Sequence, residues 1–179
     1  MTAKLKPNYI FFHLRNPAAT IESFYSKGWY SYFDNQKHFQ SPSIDISDSQ
    51  YRSFSRIIPK NEYLEEWLKL SRIGKITWFW STINKSIYEG FKKVENVEKI
   101  FIQLEEVNQN YKIYEKLSEK FSFENKMTKN QFYNVINKAS NKDTNKIYEY
   151  KNWTDLEKKE FEKIISNTFP HFDKIKTNL

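Results

Sequence analysis

Cysteine is absent from the 179 residues, so disulfides, thiolate metal ligands and cysteine nucleophiles are all excluded. Histidine is nearly as scarce. His13, His38 and His171 are scattered with no ligand spacing between any two, which argues against a metal site built on histidine pairs. The three glycines, at positions 28, 74 and 90, belong to no glycine-rich loop of the kind that cradles phosphates. No stretch approaches the roughly 18 to 20 apolar residues that a membrane-spanning helix needs. The opening Met1-Thr2-Ala3-Lys4-Leu5-Lys6-Pro7 lacks the apolar core of a signal peptide. Together these absences lead us to expect a soluble, cytoplasmic chain with no membrane span.

Aromatic side chains are abundant instead. Apolar residues make up only 39% of the chain, but 15 Phe, 12 Tyr and 5 Trp bring the aromatic share to 18%, enough to fill a core short of aliphatic volume. The length favours one domain over residues 1–179. A formal charge of +7 favours an anionic partner, although the abundance of Lys, Asn, Ile and Tyr is also what AT-rich coding produces.

Tyr9-Ile10-Phe11-Phe12-His13-Leu14 is a nearly continuous apolar run, the pattern of a strand buried on both faces of a parallel sheet. Asn16 as N-cap and Pro17 at the first helical position then start a helix expected to reach about Tyr32. Residues 34–59 are polar and read as a long irregular segment. From Asn61 to Phe91 the apolar positions keep helical spacing, and Gly74 is expected to divide them into two helices. Lys99 to Leu104 is a second strand candidate, with a helix from Val107 to Lys120 beyond Glu105 and Glu106. Further helices are expected near Thr128 to Ala139 and from Asp155 to Asn167, the latter opened by a Thr154/Glu157 capping box. This order implies an α/β protein with a small parallel sheet and predominantly helical surroundings. Two strands are few for a stable sheet.

The chemistry concentrates where the first strand meets its helix. In open parallel sheets, ligands bind beyond the carboxyl ends of the strands, where helix N-termini offer N–H groups to anions. Arg15, at such a strand end, has the geometry to fork two hydrogen bonds onto phosphate oxygens, and Ser23, about two turns on, offers a hydroxyl. The plainer alternative is an Arg paired with a carboxylate and a Ser on a solvated face. His13 reads as a core or sheet-packed residue, and Trp78 and Trp80 as helix core. Glu105 and Glu106 would point to opposite sides of an extended backbone.

The run His13-Leu14-Arg15-Asn16-Pro17-Ala18-Ala19-Thr20-Ile21-Glu22-Ser23-Phe24-Tyr25 resembles the motif with which sulfotransferases bind the 3′-phosphate of 3′-phosphoadenosine 5′-phosphosulfate (PAPS). In that family a buried strand ends in Arg-Asn/Asp-Pro, and a Ser follows eight residues after the Arg, before aromatic residues; Arg15, Ser23 and Phe24-Tyr25 have this spacing. Further along, Leu104-Glu105-Glu106-Val107 sits where the family has a Tyr-Glu-Asp-Leu-like tetrapeptide, with Leu104 replacing its Tyr. Asn152-Trp153-Thr154 resembles the family's final helix start. The resemblance covers most of residues 8–170, and its specific part is the first motif. It implies a truncated P-loop-nucleotide-kinase-like sulfotransferase fold, PAPS as sulfuryl donor, Arg15 and Ser23 as cofactor-binding residues, and an acceptor hydroxyl or amine of unknown identity.

Two parts of the family's site have no counterpart. The Pro-Lys-Ser-Gly-Thr-type loop that holds the 5′-phosphosulfate and the general base both lie upstream of Arg-Asn-Pro in the family, and only fourteen residues precede Arg15. The expectation is therefore a partial sulfotransferase-like domain, a split or truncated form completed by a missing N-terminal polypeptide, with no catalytic residue assigned in this chain. The Arg-Lys-Gly loop that closes over the 3′-phosphate is also missing; Lys142 and Lys146 are candidate substitutes. The alternative is a non-catalytic, basic, aromatic-rich module for nucleic acid or another anionic partner. It rests on charge alone, and no nucleic-acid motif accompanies it. A degenerate remnant that keeps only the scaffold is the third reading.

Overall fold

The computed structural model describes residues 7–31, 57–60, 62–138, 148–170, 172 and 177–178. Among them the protein is α/β and mostly helical: β1 (Tyr9–Leu14), α1 (Pro17–Ser26), α2 (Glu62–Lys69), α3 (Arg72–Lys93), β2 (Glu98–Gln103), α4 (Leu104–Gln109), α5 (Tyr111–Lys120), α6 (Lys129–Asn137) and α7 (Asp155–Thr168), with a short 3-10 turn at Tyr150–Asn152. No helix among the described residues is long and apolar enough to cross a membrane. The chain divides into two compact units, one of residues 1–16, 86–142 and 173–179, the other of residues 17–85 and 143–172. Helix α3 contributes residues to both.

The first unit holds the sheet. β1 and β2 pair in parallel, with Tyr9 beside Glu98 and Leu14 beside Gln103. Phe12 and Leu14 are buried, and Phe12 packs its ring 5.8 Å from Phe91 and 6.1 Å from Phe101. Burial of each such side chain contributes about 2–3 kcal/mol. The expectation of a strand buried on both faces is corrected here. Phe11 is 45% exposed and His13 is exposed as well, so β1 alternates instead of being covered throughout. Alternation by twos sends Phe12 and Leu14 inward and Phe11 and His13 outward; His13 is therefore not a core residue. Phe11 gains partial cover from Phe121, whose ring lies 5.4 Å away.

Along the far edge of β2 runs the pair Thr177-Asn178. Asn178 Oδ1 accepts from the Phe101 N–H at 2.6 Å, Asn178 N–H donates to the Phe101 carbonyl at 3.3 Å, and Thr177 Oγ1 accepts from the Gln103 N–H at 3.0 Å. β2 ends one residue earlier than expected, and Glu105 and Glu106 lie in the first turn of α4 instead of on extended backbone. The single helix expected from Val107 to Lys120 is two, broken at Asn110, whose side chain accepts from Lys112 N–H to start α5. Thr128 and Gln131 form a capping box at the start of α6. Phe132 of α6 is buried against Tyr111 and Tyr114 at 5.6 and 5.3 Å.

The second unit is an aromatic helical core. α1 stops at Ser26, short of the expected Tyr32, because Gly28 turns the chain at φ +79° and Tyr30 follows at φ 57°. That turn stacks Trp29 on Phe24, with centroids 3.7 Å apart, and buries Tyr30 against Trp67 at 5.4 Å. Arg72 fixes the same turn. Its guanidinium donates to the carbonyls of Trp29 at 2.8 Å and Tyr25 at 2.7 Å and lies 3.9 Å from the Tyr25 ring centroid. In α3, Ile73, Ile76, Thr77 and Trp80 follow the i, i+3, i+4, i+7 rule and are buried. The hydroxyls of Thr77 and Ser81 reach the carbonyls one turn back at 2.8 and 2.9 Å, so they are satisfied inside the core.

The division between α2 and α3 falls at Leu70-Ser71, not at Gly74. Ser71 caps α3: its Oγ accepts from the Gly74 N–H at 3.0 Å, while its own N–H and O–H donate to the Glu160 carboxylate of α7. Gly74 has a different task. A Cβ there would sit 2.5 Å from Glu160 Oε2, so the glycine makes room for the carboxylate. The buried Lys75 closes the end of α2 by donating its Nζ to the Leu68 carbonyl at 3.1 Å and to that of Leu70, where a cation also meets the negative helix end. α7 opens on its expected capping box, Thr154 with Glu157.

Candidate functional site

Arg15 leaves β1 in the first unit, at the carboxyl end of a parallel strand. Its side chain is exposed and has no hydrogen bond, ion pair or aromatic contact among the described residues. Pairing with a carboxylate, the plainer alternative for this residue, is therefore not seen there. The adjacent Asn16 N–H is already engaged: Glu105 Oε1 accepts it at 2.9 Å. An anion at this strand end would meet the Arg15 guanidinium, not that amide. Glu105 Oε2 is buried and has no hydrogen-bond partner among the described residues. Glu106, next along α4, accepts the Thr177 N–H at 2.9 Å. The acidic pair thus holds backbone at two places, which the sequence did not signal. One clue was available: extending the Leu14–Gln103 register by two places sets Asn16 beside Glu105.

Ser23 lies in the second unit, half-buried on α1. Its hydroxyl has no hydrogen-bond partner among the described residues. Arg15 and Ser23 therefore belong to different compact units. Around Ser23, α1 binds the 3-10 turn through Glu22, a buried carboxylate that accepts the Tyr150 N–H at 2.8 Å. Tyr148 packs its ring 5.0 Å from Tyr25 and donates to Glu157 Oε2 at 2.8 Å. Lys142 and Lys146 lie outside the described residues.

Burial, followed by the hydrogen bond to Glu157 and its charge, pushes the Tyr148 phenol above its ordinary 10.0. Because the folded state keeps the proton more tightly, this interaction stabilises the fold fully below pH 10.0 and is lost as pH rises through the raised folded value. Tyr148→Phe is expected to cost about 0.5–1.5 kcal/mol at neutral pH. In urea titrations its deficit against the unmodified chain should shrink above about pH 10. A deficit that stays constant through that range would show that the bond to Glu157 does not matter.

The second unit also contains a cleft of about 380 Å³, bordered by Tyr63, Trp67 and Trp78 with Glu66, Glu160 and Lys163 on its polar side. Trp78 and Trp80 separate in role. Trp80 is buried with its ring 5.6 Å from Phe172, whereas Trp78 is half-buried and lines the cleft. Comparison with family models, curated proteins and solved structures gives no match for this chain.

Proposed function

We propose that this chain is a sulfotransferase-related protein that holds the 3′-phosphate of PAPS through Arg15 and Ser23, with the architecture of the P-loop-type sulfotransferase fold. One observation carries the reading: at the end of a parallel strand, followed by Asn-Pro and a helix, stands an exposed arginine whose guanidinium is uncommitted among the described residues. An uncommitted guanidinium can fork onto two phosphate oxygens without first breaking an internal ion pair, although ordering the exposed side chain costs about 0.5–1.5 kcal/mol. The eight-residue step to Ser23 and the aromatic pair that follows it supply the specificity of the motif.

In a complete form, such a protein transfers a sulfuryl group to an acceptor hydroxyl or amine. The bond between sulfur and the bridging oxygen of the donor breaks as the acceptor bonds to sulfur and gives up its proton. No residue of this chain is assigned to that step. The absence of cysteine fits a cytoplasmic setting.

Calorimetric titration of the full chain with 3′,5′-adenosine bisphosphate and with 5′-AMP tests the reading. The bisphosphate is expected to bind at least about tenfold more tightly, since charge-assisted hydrogen bonds contribute 1.5–3 kcal/mol. Equal affinities would remove the phosphate assignment.

A further inference from the structure

We infer that the cleft between α2, α3 and α7 is a binding site for a small organic ammonium ion. Its walls are aromatic and set at an angle. Trp67 and Trp78 lie with ring centroids 6.1 Å apart and planes at 73°, so two indoles border the same space in different orientations. Tyr63, one turn before Trp67 on α2, adds a third ring and is 66% exposed. Trp67 is 2% exposed and backs the recess, so Trp78 and Tyr63 are the rings a ligand would meet. Aromatic rings attract cations, indole most strongly.

Charge at the rim points the same way. Among the described residues that border the cleft, Glu66 and Glu160 stand against Lys163, a negative balance in a chain of net charge +7. The Glu160 carboxylate accepts from Ser71, and Glu66 is exposed with no ion pair among the described residues. Lys75, whose Nζ lies 5.5 Å from the Trp67 centroid, is committed to the Leu68 and Leu70 carbonyls and is not part of the lining. The volume, about 380 Å³, falls in the range of small-molecule sites. A compact alkylammonium head fits these features better than an anion, which would meet two carboxylates, or a neutral hydrocarbon, which would gain nothing from the acidic rim. None of the lining residues is Arg15 or Ser23, so this site stands or falls apart from the phosphate reading.

Choline and its neutral isostere 3,3-dimethyl-1-butanol, titrated against the full chain with tryptophan fluorescence as readout, separate charge from shape. Choline should give a saturable change, with the isostere weaker by roughly 2- to 30-fold, the span of cation–π contributions. Tyr63→Ala and Glu66→Gln both change exposed side chains and should leave the thermal unfolding midpoint in place. Each should weaken choline by roughly 2- to 30-fold without altering the response to the isostere. Equal binding of choline and the isostere, no saturable response to choline, or unchanged choline affinity in both variants would overturn the assignment.

Discussion

Replacing Arg15 with alanine is expected to raise the Kd for 3′,5′-adenosine bisphosphate by about 10- to 100-fold, the loss of charge-assisted hydrogen bonds to a phosphate. The same change should leave 5′-AMP affinity within about twofold, because a ligand without the 3′-phosphate has nothing for the guanidinium to hold. Arg15→Lys keeps the charge but loses the planar fork, so it should recover only part of the affinity. Ser23→Ala removes one neutral donor and should cost about 3- to 10-fold. Thermal unfolding of the Arg15 variants should be unchanged, since the side chain is exposed and makes no contact among the described residues. Binding of the bisphosphate by Arg15→Ala at full strength would sink the phosphate assignment.

Gly74→Ala should destabilise the chain by about 1–3 kcal/mol, the usual cost of overpacking, even though alanine is favoured over glycine inside a helix by about 1 kcal/mol. The added Cβ would stand 2.5 Å from Glu160 Oε2 and 3.1 Å from Leu70 Cβ. The carboxylate can move, but moving it draws it from the N–H and O–H of Ser71 and so unties the start of α3. Glu160→Ala alone should also destabilise, by about 1.5–3 kcal/mol, through the same lost bonds. In the double variant most of the clash is gone and the helix preference of alanine counts in full. The two changes together should therefore cost clearly less than their sum, with a coupling of about 1–2 kcal/mol in a double-mutant cycle by urea denaturation. Strict additivity would show that Gly74 does not serve Glu160.

Much of the secondary structure was legible in the sequence, because short-range rules decide it. The apolar runs at Tyr9–Leu14 and Lys99–Gln103 pair as parallel strands, and Thr154 with Glu157 starts α7. The Thr128/Gln131 box obeys the same rule and marks the start of α6. What escaped was set by distant partners. Gly74 looks like a helix breaker, yet the break lies at Leu70-Ser71, where Glu160, 89 residues away, receives the cap. The outward face of β1 was illegible for a related reason, since an apolar run does not say how many of its faces will find cover. Ile87, with helical spacing suited to a core, is 51% exposed.

For the candidate sites the split is similar. Arg15 and Ser23 were found by spacing, but the uncommitted state of their polar groups depends on which carboxylates the fold brings near. Glu105 was near in register and chose the Asn16 amide. The ammonium cleft gave no local sign, since Trp67 and Trp78 on amphipathic helices look like core and only α7 turns their edge into a recess.

The Thr177-Asn178 pair on the far side of β2 has a consequence for how the molecules behave toward one another. A strand edge with bare N–H and C=O groups is a template onto which a second chain can add. Here the Phe101 amide and carbonyl and the Gln103 amide are occupied from within the same chain, by two side chains and one backbone N–H. Proteolytic loss of those two residues would leave the apolar core intact and expose the edge. Its first symptom would be self-association that grows with protein concentration.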